Sequence, residues 1–171
     1  MQPRPYIILG GILAAAMTIS AVGALAFPSA TTEHGVHLMH APGPFDVKIN
    51  ALDPYNKDEG AGLSRMSIDK QFHGDLKATS KGEMLAIMDK ATQSGGYVAI
   101  ERVTGTLGGK KGSFVLQHSS TMTRGQPKQN VSVAPGSGTG ELSGLSGSLI
   151  INIAADGAHS YDFEYSFNDD K

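Results

Sequence analysis

The sequence of 171 residues contains no cysteine and no tryptophan. The absence of cysteine excludes disulfide bonds, redox Cys pairs and Cys-based zinc sites, and it also excludes a lipid anchor attached to a cysteine that follows an export signal. The 14 basic and 16 acidic side chains nearly balance and form no basic run, so nothing in the charge predicts a nucleic-acid partner. The sequence also lacks a nucleophile elbow and a phosphate loop that opens a helix, so we predict no cofactor.

The first 26 residues have the pattern of a signal peptide. Arg4 precedes an uncharged apolar run over residues 6–27, and the small residues at both ends of Ala24-Leu25-Ala26 predict cleavage after Ala26. The protein is therefore expected to be exported, to the periplasm or the medium, with no stable membrane association after cleavage. The alternative is an uncleaved anchor, because the run is as long as the roughly 20 residues that a spanning helix needs.

Residues 27–44 are predicted to form a flexible linker, because Ser, Thr, Ala, Gly, Pro and His dominate there. His34, His37 and His40 lie in this stretch with Met39 among them, and imidazole and thioether groups bind soft metals such as copper. Three histidines at this spacing do not share one helical face, and no set of carboxylates accompanies them. We therefore predict a solvated tether, no metal site, and a single domain over residues 45–171.

From Phe45 onward, short stretches alternate apolar and polar residues, and turn-forming residues recur between them, a pattern typical of β-strands. About eight strands are predicted, beginning near residues 45, 66, 76, 97, 112, 129, 148 and 159. The stretch 81–91 contains good helix formers, but Gly82 and the shortness of the run favour a strand. A closed eight-stranded antiparallel barrel is favoured over a sandwich, because closure removes edges that an exported sheet would have to protect.

Residues 97–119 predict a hairpin with two ionisable residues on one face. If Gly109 and Lys110 form a two-residue turn, Glu101 lies opposite His118 and Val103 opposite Leu116. Opposed side chains are about 5 Å apart, close enough for a carboxylate to bond an imidazole. A buried Glu without a partner costs several kcal/mol, so an interior Glu101 requires this contact or an equivalent one. The pair could fix the strand register, contact a ligand, or act as general acid and base.

The first strand of the hairpin does not show by itself which face is interior, because Val98 and Ile100 lie on the face opposite Glu101. Phe114 and Leu116 in the second strand share a face with His118, so that face is predicted to be the interior one. Tyr161 and Tyr165 also point inward in the last strand, and their hydroxyls need partners that a ligand could supply. The predicted catalytic residues are Glu101 and His118. The predicted ligand contacts are Glu101, His118, Phe114, Leu116, Tyr161 and Tyr165.

Three segments resemble an uncharacterised bacterial family, domain-of-unknown-function family 3224: ERVTGTLGG at 101–109, GSFVLQH at 112–118 and PGSGTGEL at 135–142. The fold of that family is similar to that of allene oxide cyclase, and the glycine-rich segment also resembles dirigent proteins. The resemblance implies an eight-stranded barrel with a central cavity. Members of the family usually lack an export signal, so this chain departs from their pattern, and a cytoplasmic role is not carried over to it. The catalytic pattern of the cyclase is not matched.

Together these patterns predict an exported, cofactor-free, all-β barrel that binds a small, largely apolar molecule in its cavity. Two alternatives remain open: a cyclase or isomerase that uses Glu101 and His118 for proton transfer, and a non-catalytic structural module with a filled interior. The oligomeric state is not predicted.

Overall fold

The computed structural model describes residues 37–58 and 62–168, which form nine β-strands. The strands are β1 (Met39–Leu52), β2 (Leu63–Phe72), β3 (Leu76–Asp89), β4 (Ser94–Leu107), β5 (Lys110–Thr123), β6 (Gln126–Val133), β7 (Thr139–Gly140), β8 (Leu145–Ile153) and β9 (His159–Phe167). No helix within these two ranges is long and apolar enough to cross a membrane. The predicted signal peptide, residues 1–26, lies outside the described residues.

Eight strands form a closed antiparallel barrel. Strands β1 to β6 pair in chain order, β6 pairs with β8, β8 with β9, and β9 returns to β1. The two-residue strand β7 lies outside this cycle and pairs with the start of β5. The predicted all-β, closed eight-stranded architecture is therefore confirmed, including the assignment of residues 81–89 to a strand.

Strand β1 begins inside the predicted linker. The structure places Met39–Pro44 in a ladder with β9, and Ala41 is completely buried. The linker prediction over 27–44 is therefore wrong for its last residues, while residues 27–36 lie outside the described part. Pro42 and Pro44 fit a strand here because this half of β1 pairs only with β9, and its pairing with β2 begins at Phe45.

The hairpin of β4 and β5 turns one residue earlier than predicted. Gly108 and Gly109 form its tip with φ angles of 55° and 85°, and a two-residue turn with both angles positive favours glycine at both positions. Glu101 therefore lies opposite Leu116, and His118 lies opposite Ala99. The predicted register is wrong by two residues, which leaves both side chains on the interior face because strand faces alternate with period two.

One end of the barrel is filled with side chains. Phe114 stacks on Phe163 with a centroid separation of 5.7 Å, and the ring edge of Phe72 packs against Tyr161 at 5.5 Å. The Tyr161 hydroxyl donates to His73 O at 2.7 Å and accepts from the Leu76 amide at 3.2 Å, which ties the β2–β3 turn to β9. This packed half supplies most of the hydrophobic core.

Strands β6 and β8 meet at the weakest seam of the barrel, where Ser132 and Ser148 form the single backbone bridge pair. The side-chain amide of Gln129 extends this seam. Its Nε2 donates to Ile151 O at 3.0 Å, and its Oε1 accepts from Ile151 N at 2.9 Å. One side chain thus reproduces the pair of hydrogen bonds that an opposed strand residue would make.

Gln129→Ala should loosen this seam. We expect a loss of about 1 kcal/mol in the free energy of unfolding and faster hydrogen exchange of the Ile151 amide, because two hydrogen bonds to an exposed backbone are lost. Exchange measured by NMR or mass spectrometry tests this. Gln117→Ala, at an exposed position of β5, is the matched control. Unchanged exchange at Ile151 would contradict the role given to Gln129.

Candidate functional site

The carboxylate of Glu101 is completely buried in the barrel and contacts side chains from three other strands. Lys70 Nζ in β2 lies 2.7 Å from Oε2, and His118 Nε2 in β5 lies 2.9 Å from the same oxygen. The Ser80 hydroxyl in β3 donates to Oε1 through a short hydrogen bond. We call Lys70, Ser80, Glu101 and His118 the polar cluster.

A glycine lets Glu101 reach its partners in β2 and β3. Gly82 is the register partner of Glu101, and Lys70 and Ser80 are opposed to each other in the adjacent interior row. A Cβ at Gly82 would lie 2.8 Å from Glu101 Cα and 3.0 Å from its Cβ, so a side chain there would push β4 away. The close approach of the two strands at Gly82 thus leaves room for the carboxylate beside Lys70 and Ser80.

The polar cluster holds Glu101 in its ionised form. Burial by itself would raise the pKa of this carboxyl, but His118, Lys70 and Ser80 together lower it from 4.5 to about 2. Hydrogen bonds from Lys70 and Ser80, the charge of Lys70 and the close contact of His118 Nε2 all favour the carboxylate. Glu101 is therefore an anion at any pH at which the protein is expected to work, and a poor proton acceptor.

Lys70 is held by aromatic rings as well as by the carboxylate. Its side chain is 5% exposed, and Nζ lies 5.1 Å from the Phe45 ring centroid and 5.6 Å from that of Phe72. A cation over an aromatic face is stabilised by the ring quadrupole, more strongly when water is excluded. The ammonium group therefore sits between a carboxylate and two aromatic faces.

His118 contacts Glu101 closely without the alignment of a good hydrogen bond. Nε2 is fully buried and forms no hydrogen bond of acceptable geometry with any described residue, although Glu101 Oε2 is 2.9 Å away. The imidazole also lies beside Tyr97, with centroids 6.4 Å apart. Burial raises the pKa of the Tyr97 hydroxyl, against the effect of a hydrogen bond with Ser120.

A cavity of about 230 Å³ lies beyond the polar cluster and opens to solvent at the barrel mouth, where its wall residues Ile49 and Ile153 are 52% and 66% exposed. Lys70, His118, Tyr97 and His159 are its polar-tipped lining residues, whereas Glu101 lies behind Lys70 and His118 and does not line it. The walls are aliphatic, thioether and aromatic: Phe45, Val47, Ile49, Ile68, Met84, Ile151 and Ile153. The site thus combines an apolar pocket with a small cationic and imidazole surface.

The structure brings together two of the six predicted site residues. Glu101 and His118 touch, although through a diagonal contact and not through the predicted opposed pair. Phe114, Leu116, Tyr161 and Tyr165 belong to the packed half of the barrel and do not line the cavity. The Tyr161 hydroxyl is satisfied by backbone groups, so it is not offered to a ligand.

The polar cluster contains two residues that sequence reasoning missed, Lys70 and Ser80. The signal for Lys70 was present in β2, since Lys70 occupies the interior position between Ile68 and Phe72. Ser80 occupies the interior position that follows Leu76 and Ala78 in β3, and it is 3% exposed. A lysine on an apolar strand face signals a buried ion pair, because an isolated ammonium there would be too costly.

The other histidines and an arginine lie apart from the cluster. His73 is exposed near the end of β2 and contacts Asp46 at 2.9 Å, and Arg102 is exposed on the outer face of β4. His159 is half-buried against the Phe45 ring at 5.2 Å and lines the cavity.

His40, in the segment considered for a metal, lies between two acidic side chains of β9, Asp162 at 3.4 Å and Glu164 at 3.3 Å. Within the described ranges, no group of three or more His, Asp or Glu side chains is arranged to hold a metal ion. His34 lies outside those ranges.

Comparisons with known proteins give a family and a related structure. The model of the family described as "Protein of unknown function (DUF3224)" matches residues 41–165. A crystal structure of a DUF3224 protein of unknown function from Shewanella oneidensis MR-1 is similar to this chain, with 46% identity and a TM-score of 0.73, over 77% of this chain and 98% of that one. No curated protein matches the chain.

Breaking the buried ion pair should be costly in a way that removing both partners is not. Glu101→Gln is expected to lower the free energy of unfolding by about 3 kcal/mol, because it leaves the Lys70 ammonium buried without its counter-charge. Adding Lys70→Met should recover much of that loss. The test is a double-mutant cycle by urea denaturation.

The exposed pair Lys57–Asp53, with Nζ and Oδ2 2.7 Å apart, provides the control cycle through Lys57→Met and Asp53→Asn. Its coupling energy should stay below about 1 kcal/mol. If the buried pair couples no more strongly than this exposed one, the central role of Glu101 is refuted.

The lowered pKa of Glu101 also predicts a pH dependence. In the folded state the pKa of Glu101 is about 2, whereas its ordinary pKa is 4.5. The stabilising contribution of the carboxylate is therefore complete above pH 4.5 and is lost as the pH falls towards 2. Urea denaturation across this window should show a shallower fall for Glu101→Gln than for the parent. Glu164→Gln, an exposed carboxylate of β9, should retain the parent slope.

Proposed function

This chain belongs to the DUF3224 family, and we propose that it binds a small, largely apolar molecule in the barrel cavity beside Lys70 and His118. The observation that carries the proposal is the cavity of about 230 Å³, whose walls are apolar and whose polar groups are few. Ligand sites are typically concave, mostly apolar, and equipped with a small number of convergent polar groups.

The cavity limits the size of the part of a ligand that can be buried in it. A volume of about 230 Å³ equals the space of roughly eight water molecules at about 30 Å³ each, which suits a compact body of roughly ten non-hydrogen atoms. Met84 is among the wall residues, and an unbranched thioether adapts to ligands of differing shape. A larger molecule would have to extend beyond the cavity.

The polar cluster determines how the ligand is oriented. Lys70 carries three N–H donors, of which one is directed to Glu101, and His118 presents its ring to the cavity. A hydrogen-bond acceptor on the ligand would therefore lie towards these two residues, with the apolar body against the isoleucines and Val47. Glu101 acts through Lys70 and His118 and is a positioning residue.

The enzymatic alternative, a cyclase or isomerase, is favoured by one feature only: an imidazole that lines the cavity and abuts a carboxylate. In that case His118 would move the proton, because the pKa of Glu101 is about 2 and Glu101 does not line the cavity.

The alternative of a filled structural module is disfavoured by the cavity itself. The signal-like segment at residues 1–26 supports action outside the cytoplasm, which we include in the proposal.

Filling the cavity tests the binding function. Ile151→Trp would project an indole into the cavity, and it should weaken the binding of a small environment-sensitive dye whose size matches the cavity, such as 2-naphthol, at least tenfold. Ile150→Trp is the matched control, since Ile150 is the preceding residue of β8 and points outward with 58% exposure. Fluorescence titration measures both, and melting curves show that both variants fold.

The parent chain has no tryptophan, so each variant carries a single reporter. Dye binding should quench or shift the emission of the Ile151→Trp indole if any dye still enters, and leave that of Ile150→Trp unchanged. Equal dye affinity in the parent and both variants would exclude the cavity as the binding site. Native mass spectrometry of the parent, purified from its own host, should then also show no retained small molecule.

A further inference from the structure

Strand β4 carries large aliphatic side chains on its outer face as well as on its inner one. Ala99, Glu101 and Val103 point into the barrel, whereas Val98 and Ile100 point out with 54% and 55% exposure. The interior does not use these two side chains. Natural sheets usually place polar residues on the solvent side, so an apolar outer face indicates a second surface that covers it.

The exposed aliphatic residues of three strands are contiguous. Leu85 is the register partner of Val98, Ile87 is the partner of Leu63, and Ile100 lies one row away from Val98 on the same face. We call these five residues the outer patch: Leu63, Leu85, Ile87, Val98 and Ile100, each at least 47% exposed. A depression of about 750 Å³ adjoins it, with Tyr55 at its border. Clustered exposure of this kind on a barrel wall marks an interaction surface.

Two charged residues beside the outer patch, Arg65 and Glu83, make its surface complementary to a second copy of itself. Arg65 and Glu83 lie beside Leu85 and Ile100 and pair with each other, with Nε and Nη2 at 2.9 Å and 2.6 Å from Oε2. Lys81 and Arg102 lie in the next outer row with Asp69, so three cations and two anions surround the patch and nearly balance. The patch therefore offers little to a nucleic acid or an anionic membrane. Under a two-fold axis that passes between Arg65 and Glu83, the same patch meets itself, and the arginine of each copy faces the glutamate of the other.

The topology restricts how a partner can associate. The eight paired strands form a closed cycle, so the unpaired backbone edges are confined to short stretches, such as Met39–Pro44 and the seam between β6 and β8. Association over a larger area must then use side chains on a face. The outer patch is the face on which large apolar side chains and a balanced charge pair coincide.

We propose that the outer patch is the interface of a homodimer in which the outer faces of β3 and β4 from two copies pack around a two-fold axis. Leu85, Val98 and Ile100 form its apolar centre. Arg65 of each copy pairs with Glu83 of the other. Such a dimer buries on the order of 1,200–2,000 Å² in total, the size of an ordinary specific interface.

Sedimentation velocity across a series of protein concentrations tests the interface. The protein should sediment as a dimer at micromolar concentration, and Ile100→Glu should raise the dissociation constant at least tenfold, because a charge would be buried at the apolar centre. Ile150→Glu is the matched control, an exposed isoleucine on the outer face of β8, and should dimerise like the parent. Circular dichroism shows that the variants keep their fold.

Charge reversal tests the pairing across the axis. R65E and E83R should each be monomeric, because the variants carry like charges at the contact, and an equimolar mixture of the two should form a heterodimer. A monomeric parent at high micromolar concentration would overturn the proposal. A dimer that persists unchanged in Ile100→Glu, or a mixture that stays monomeric while the parent dimerises, would show that a different surface is used.

Discussion

The buried carboxylate of Glu101 is the contact on which the interior of this barrel depends. An ion with no exposure to water requires compensation from the protein, and it receives it from Lys70, Ser80 and His118, so four consecutive strands, β2 to β5, meet at one group. The low pKa of Glu101 expresses the strength of that compensation. Because a half-satisfied cluster would be worse than an apolar core, its members constrain one another and the positions of their strands.

The polar cluster also divides the barrel into two halves with different properties. On one side, buried aromatic and aliphatic side chains pack together, and the hydroxyl of Tyr161 holds the turn between β2 and β3. On the other side, Lys70 and His118 face a cavity whose walls are apolar. Under the proposed function, the packed half would supply the rigidity that a binding site needs, and the half with the cavity would supply the space. Strand β4 joins this interior to the outer patch, since Glu101 and Ile100 are neighbours that point to opposite sides of the same wall.

The errors in the sequence-based predictions have physical causes. Alternation of apolar residues cannot distinguish two registers that differ by two residues, so the turn decided between them, and Gly108-Gly109 satisfies a turn with two positive φ angles where Gly109-Lys110 does not. The contact between Glu101 and His118 nevertheless forms, because long side chains reach diagonal neighbours. Met39–Pro44 resembles a linker by composition, yet it is a strand paired on one side, where proline is tolerated.

The sequence alone determined that the chain is an all-β barrel, that Glu101 and His118 face its interior, and that the chain resembles family 3224, because alternation and turn residues are local properties of neighbouring positions. Only the tertiary structure decided which charges meet: Lys70 and Ser80 come from strands that the sequence does not align with Glu101. It also decided that Phe114, Leu116, Tyr161 and Tyr165 belong to the packed core, whereas Lys70 and His118 line the cavity. Strand faces follow from a period of two, whereas the depth of a residue along the barrel depends on how all the strands are staggered, and that stagger is a property of the closed sheet as a whole.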